Sequence, residues 1–79
     1  MVFEVVFRSL LASARERKLT LGELRDGSML CRGYGLVLER MKELGEVTYT
    51  LEQTSEGEQW SDETVVTLTK KGLRVAGVF

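Results

Sequence analysis

Leu38-Glu39-Arg40-Met41-Lys42-Glu43-Leu44-Gly45-Glu46-Val47-Thr48-Tyr49-Thr50-Leu51-Glu52 holds the decisive change of period in this chain. Upstream of Gly45, apolar residues recur at helical spacing: Leu30, Tyr34, Val37, Leu38, Met41 and Leu44 form one stripe. That pattern predicts an amphipathic helix over 29–44, with Ser28 as its N-cap. Gly45 suits the position just past a helix end, where a left-handed φ is needed. Downstream the period drops to two. Val47, Tyr49 and Leu51 alternate with Thr48, Thr50 and Glu52, and Thr64, Val66 and Leu68 alternate with Val65, Thr67 and Thr69. Two β-branched, alternating runs around a polar Gly57 centre predict a long β-hairpin.

Working outward, Phe3, Phe7, Leu10 and Ala14 share one helical face, and cations close the segment. A first helix over 2–17, ending near Lys18, is expected, with a strand as the alternative for its β-branched start. Leu19-Thr20-Leu21 reads as a short extended stretch, Gly22–Arg25 as one helical turn, and Asp26-Gly27 as a turn. After the hairpin, Thr69 can cap a short helix through Lys70–Ala76.

The chain has 79 residues, 43% of them hydrophobic and 29% charged, which fits one α+β globular domain over 1–79. A domain this small buries roughly 60–65% of its unfolded surface, leaving little room for an internal pocket. There is no His, and Cys31 is the single cysteine. No internal disulfide, no Cys-based zinc site and no metal or other cofactor is therefore expected. No Ser/His/Asp set or phosphate-cradling loop is present, so a binding module is expected rather than an enzyme. No apolar run approaches the ~20 residues of a bilayer span. The first residues lack a basic n-region, so no signal peptide is read, and a cytoplasmic location is expected. The chain contains no Asn, Ile or Pro. A thermophilic source and the codon bias of a GC-rich genome account for that equally well.

Three stretches carry a family resemblance. Leu19–Leu24 is similar to a short strand leading into a second helix. Leu38–Val47 is similar to the end of a recognition helix, its Gly stop and the entry to a wing. Leu68-Thr69-Lys70-Lys71-Gly72 is similar to the Leu-Thr-x-x-Gly exit from that wing. In this order they resemble the winged helix-turn-helix fold of small archaeal and bacterial MarR-like and PadR-like regulators. The resemblance implies the order helix, short strand, helix, helix, hairpin wing, short helix. It also implies sequence-specific binding of double-stranded DNA by a homodimer. The 29–44 helix would enter the major groove, the 47–69 hairpin would form the wing, and the chain ends would form the dimer contact.

Outward positions of the 29–44 helix include Arg32 and Arg40. Arg32 is the candidate base reader, because Arg can bond guanine bidentately. Arg25, Ser28 and Arg40 are the candidate phosphate contacts; for each, a solvated surface role is the alternative. Phe3, Phe7, Val75, Val78 and Phe79 are large apolar residues for chain ends and are the candidate dimer contacts; the alternative is that the C-terminal helix folds back on the chain's own core. Trp60 either covers the hairpin or anchors a partner. Tyr34 and Cys31 read as packing residues.

Charge pulls against the resemblance. Residues 1–42 carry net +3, residues 43–69 net −7 with no Lys or Arg, and residues 70–79 net +3. Duplex binding is driven by cations that displace counterions from phosphates. A wing without cations contributes none, which keeps a second reading open: a winged-helix module that binds a basic protein through its acidic wing.

Overall fold

The computed structural model describes residues 2–30 and 32–77. Cys31, Val78 and Phe79 lie outside the described residues. The fold is α+β. Helix α1 (Val2–Ser13) leads through a 3-10 turn (Arg15–Arg17) into β1 (Lys18–Thr20) and α2 (Leu21–Ser28). Helix α3 (Tyr34–Glu43) follows, then β2 (Val47–Tyr49), β3 (Glu52–Thr54), β4 (Gly57–Gln59), β5 (Val65–Leu68) and α4 (Lys70–Val75).

The hairpin forms where the alternation placed it. β2 pairs antiparallel with β5, Val47 opposite Leu68 and Tyr49 opposite Val66. β1 adds to the other side of β5, Leu19 opposite Val66, so the sheet runs β1-β5-β2. One face of this sheet supplies Val47, Val66 and Leu68 to the core, where they meet Phe7 and Leu11 of α1, Leu21 and Leu24 of α2, and Leu38 and Met41 of α3. The hairpin then continues beyond the sheet as a separate two-stranded ribbon, β3–β4.

Helix boundaries depart from the sequence reading in three places. First, α1 ends at Ser13 rather than near Lys18. Ala14 is already extended, and Glu16 and Arg17 both take a φ of 59°. Left-handed backbone disfavours non-glycine residues, but it reverses the chain within one turn and delivers Leu19 to the sheet.

Second, α2 is eight residues long rather than one turn, so Asp26-Gly27 lies inside a helix. A capping box explains its start: Thr20 Oγ1 accepts from the Glu23 backbone N–H, and the Glu23 carboxylate accepts from the Thr20 N–H. The Leu21 and Gly22 N–H groups donate to the carbonyls of Thr64 and Asp62, which ties α2 to the returning limb of the hairpin.

Third, only Tyr34–Glu43 of the expected 29–44 helix is helical. Ser28 is the last residue of α2 and not the N-cap of α3. Met29 follows with φ 59°, and α3 starts at Tyr34 behind Gly33, whose φ is 79°. Leu30 still packs against the core, but from a loop, which is why it fitted the helical stripe. At the other end Leu44 is 42% exposed rather than core. Gly45 takes the left-handed φ expected of it, 78°. Thr69 caps α4 as expected, its Oγ1 accepting from the Gly72 N–H at 3.0 Å.

Candidate nucleic-acid interface

Helix α3 is held to the core along one side by Leu38 and Met41, and Leu36, Glu39, Arg40 and Glu43 are exposed. The outer face combines an apolar residue, Leu36 at 75% exposure, with two carboxylates and one guanidinium. At the leading end the pattern differs. Residues 27–38 contain Arg32 and no carboxylate. Gly33 gives α3 no side-chain cap, so Arg32 adjoins a helix start whose first-turn N–H groups have no side-chain acceptor at the cap.

The four candidate DNA-contacting residues separate in space. Arg32 is exposed and, among the described residues, makes no ion pair. Arg25 is clasped: its Nη1 donates to Asp62 Oδ1 at 2.8 Å, from α2 to the base of the hairpin. That hydrogen bond, and the charge of Arg25 behind it, hold the Asp62 carboxyl below its ordinary range and raise the guanidinium. Arg40 Nε stands 3.4 Å from Glu4 Oε1 of α1. Glu4 Oε1 is buried and makes no hydrogen bond, so this contact is Coulombic, without donor alignment. Ser28 is engaged locally; its hydroxyl donates to the Arg25 carbonyl and accepts from the Leu30 N–H, both at 3.3 Å.

An aromatic group joins α3 to the hairpin. The Trp60 ring lies 4.6 Å from that of Tyr49 and meets Tyr34 edge-on at 6.1 Å. A Cβ on Gly35 would come within 3.2 Å of Trp60 Nε1, so the small residue on α3 admits the indole. Lys42 lies over the Tyr49 ring, 4.5 Å from its centre. Burial, then the charges of Glu39 and Glu43, raise the Tyr49 phenol above its ordinary value. The half-buried Trp60 thus covers the hairpin base, one of the two roles considered for it.

Sequence reasoning missed one buried pair. Arg8 Nη1 of α1 donates to Glu46 Oε1 at 2.6 Å, with side-chain exposures of 14% and 7%. Arg8 and Glu46 are 38 positions apart, and neither lies in a motif that would have paired them.

The candidate dimer residues also divide. Phe7 is fully buried in the chain's own core and offers no surface to a second copy. Phe3 is half-buried, while Val75 is 49% exposed and Val5, on α1, is 58% exposed. Among the described residues, no helix is long and apolar enough to cross a membrane.

No family model, no curated protein and no solved structure matches this chain.

Proposed function

We propose that the chain is a winged-helix module that binds double-stranded DNA sequence-specifically through the leading end of α3, as a transcriptional regulator. The observation that carries this reading is the element plan. A helix, a strand, two further helices and a long hairpin form a sheet of order β1-β5-β2, and the core holds only one side of α3. This is the plan implied by the residues that resemble MarR-like and PadR-like regulators; DNA binding follows from it by analogy of fold.

The local chemistry is compatible with base contact. In this docking mode the N-terminal residues of the helix meet the base edges. Here those positions hold Arg32, an uncapped helix start and no carboxylate. Glu39 and Glu43 lie on the trailing half of α3. The β3–β4 ribbon, rich in Glu, stays off the phosphates. Few cations surround α3, so affinity falls gently with salt, with a log–log slope of about −2 to −3.

The test is a mobility-shift titration of the full chain on a pool of genomic fragments, from 50 to 300 mM salt. Selective retention of a subset, with that shallow slope, supports the reading. No retention of any duplex at 50 mM salt refutes it.

A second reading is favoured by a specific observation. The hairpin carries exposed Glu52, Glu56, Glu58 and Glu63 with no Lys or Arg between Lys42 and Lys70, and Leu36 stands exposed on α3. Such a hairpin suits a basic protein better than a phosphate backbone, and Leu36 offers a partner an apolar contact. Retention of a protein partner by a chain that retains no duplex would favour it.

A further inference from the structure

The two signs of charge occupy opposite ends of the molecule. β1, β2 and β5 align so that Lys18 faces Thr67, while Val47 faces Leu68, at the sheet end remote from the ribbon. Thr69 is bonded there to the carbonyls of Gly45 and Glu46, and α4 departs directly from it. Arg15, Arg17, Lys18, Lys70, Lys71 and Arg74 therefore gather at this end, and all six are exposed. Among the described residues, Glu16 and Glu43 are the free carboxylates in the same region, and Glu46 is held by Arg8. Cations are in clear excess.

At the other end stands the β3–β4 ribbon with Glu52, Glu56 and Glu58, followed by Glu63. No Lys or Arg occurs between Lys42 and Lys70. Every residue from 52 to 59 is exposed, and the ladder is three pairs long. Thr54 and Gly57 close its turn, with Thr54 Oγ1 donating to the Gly57 carbonyl at 2.8 Å. A two-stranded ribbon that buries nothing is marginal in water by itself.

The molecule is elongated, 41 Å in its longest dimension against 23 Å in the others. Charges separated by more than the Debye length of about 8–10 Å are largely screened from one another at physiological salt. The basic end and the acidic ribbon of one chain are too far apart to neutralise each other.

We infer that the acidic ribbon of one copy docks on the basic end of a second copy, and the second ribbon on the first basic end, in an antiparallel twofold dimer. Reversing one elongated, dipolar molecule against another brings opposite charges together twice and leaves neither lobe unmatched. The contact is isologous and closed, so it stops at two copies. The net charge of −1 imposes little overall repulsion between copies. A nucleic acid would engage the basic end alone and be repelled by the ribbon. A basic protein would engage the ribbon alone. A second copy satisfies both, and the inference does not depend on α3 reading DNA.

The test is sedimentation equilibrium of the full chain at 50 and 500 mM NaCl, with two charge-reversed variants, Lys70→Glu/Lys71→Glu and Glu56→Lys/Glu58→Lys. The substituted side chains are exposed, and circular dichroism checks that each variant keeps its fold. The wild type should dimerise with a dissociation constant about tenfold weaker at the higher salt, as expected for exposed ion pairs. Each variant alone should be monomeric at 50 mM NaCl, because the charge excess of one partner surface is removed at both junctions. An equimolar mixture of the two should dimerise again, because one junction then joins an unaltered basic end to an unaltered ribbon and the other sets the reversed positions against each other. A wild type that remains 8.9 kDa at 50 mM NaCl overturns the inference. So does a dimer indifferent to salt and to both variants, which would point to an apolar contact instead. So does failure of the mixture to reassociate.

Discussion

Gly72→Ala tests whether the packing of α4, rather than its helix propensity, fixes the residue in the Leu-Thr-x-x-Gly stretch. Gly72 is buried in α4. On propensity alone, replacing a helical Gly with Ala stabilises by about 1 kcal/mol. The structure opposes this gain. A Cβ at Gly72 would run into the Glu46 carbonyl oxygen and stand 2.6 Å from Leu68 Cδ1. Neither backbone can easily give way. The Glu46 carbonyl accepts from the Thr69 N–H at 3.0 Å, and the Gly72 N–H is held by Thr69 Oγ1. Overpacking a tight site costs typically 1–3 kcal/mol, and a clash with fixed backbone belongs at the upper end of that range. The net effect expected is a loss of about 1–2 kcal/mol, with Tm falling by roughly 4–8 °C per kcal/mol for a domain of this size. Gly27→Ala is the control, because its Cβ would meet the Leu10 side chain at 3.2 Å, and that side chain can move. It should be neutral or slightly stabilising. Thermal and urea unfolding followed by circular dichroism read both. A Gly72→Ala chain as stable as the wild type would refute the packing argument.

Glu46→Ala should cost ~3 kcal/mol in urea unfolding, because it leaves the Arg8 charge buried without its partner. The double variant Arg8→Met/Glu46→Met should recover most of that loss. Arg32→Ala should lose ~1–3 kcal/mol of discrimination at one base pair in competition mobility shifts, if Arg32 bonds a guanine; unchanged preference would remove Arg32 from the interface. The Asp62 carboxyl should titrate below its ordinary 3.8 by NMR and return to it in Arg25→Ala. Because the folded value is depressed, the clasp contributes stability above the unfolded carboxylate pKa, and that contribution disappears as pH falls through the folded one.

The parts of the fold legible in the sequence are those with a strong local signal. The change of period at Gly45 located the hairpin, and Thr69 followed by Lys70-Lys71-Gly72 located α4 with its cap. The break between α2 and α3 was hidden because Leu30 keeps helical spacing with Tyr34 while reaching the core from a loop. Gly33 and Gly35, both poor helix formers, were the available signs of a late helix start. The Thr20–Glu23 capping box was also written in the sequence, as a Thr followed three residues later by Glu. The ion pairs were not legible. Glu4 with Arg40, Arg8 with Glu46 and Arg25 with Asp62 each join distant elements, and no periodicity encodes such pairing.

Those pairs decide which surfaces can act through charge. Of eleven Lys and Arg residues, Arg8, Arg25 and Arg40 face carboxylates of their own chain, and Lys42 lies over Tyr49. Six more stand at the end remote from the ribbon, and Arg32 alone remains beside the leading end of α3. Beside the leading end of α3, a single copy therefore offers a duplex, among the described residues, one uncommitted guanidinium and an uncapped helix start. Arg25 pairs with an exposed carboxylate and can be drawn away by a phosphate, whereas Arg40 faces the buried Glu4 and Arg8 is held by Glu46. Affinity for DNA from one copy would be weak, and a second α3 would strengthen it by making the second contact intramolecular. The same partition explains why a hairpin without cations is compatible with this plan. The ribbon's carboxylates have no task at a phosphate surface, and the cations that match them lie on the far end of an identical chain.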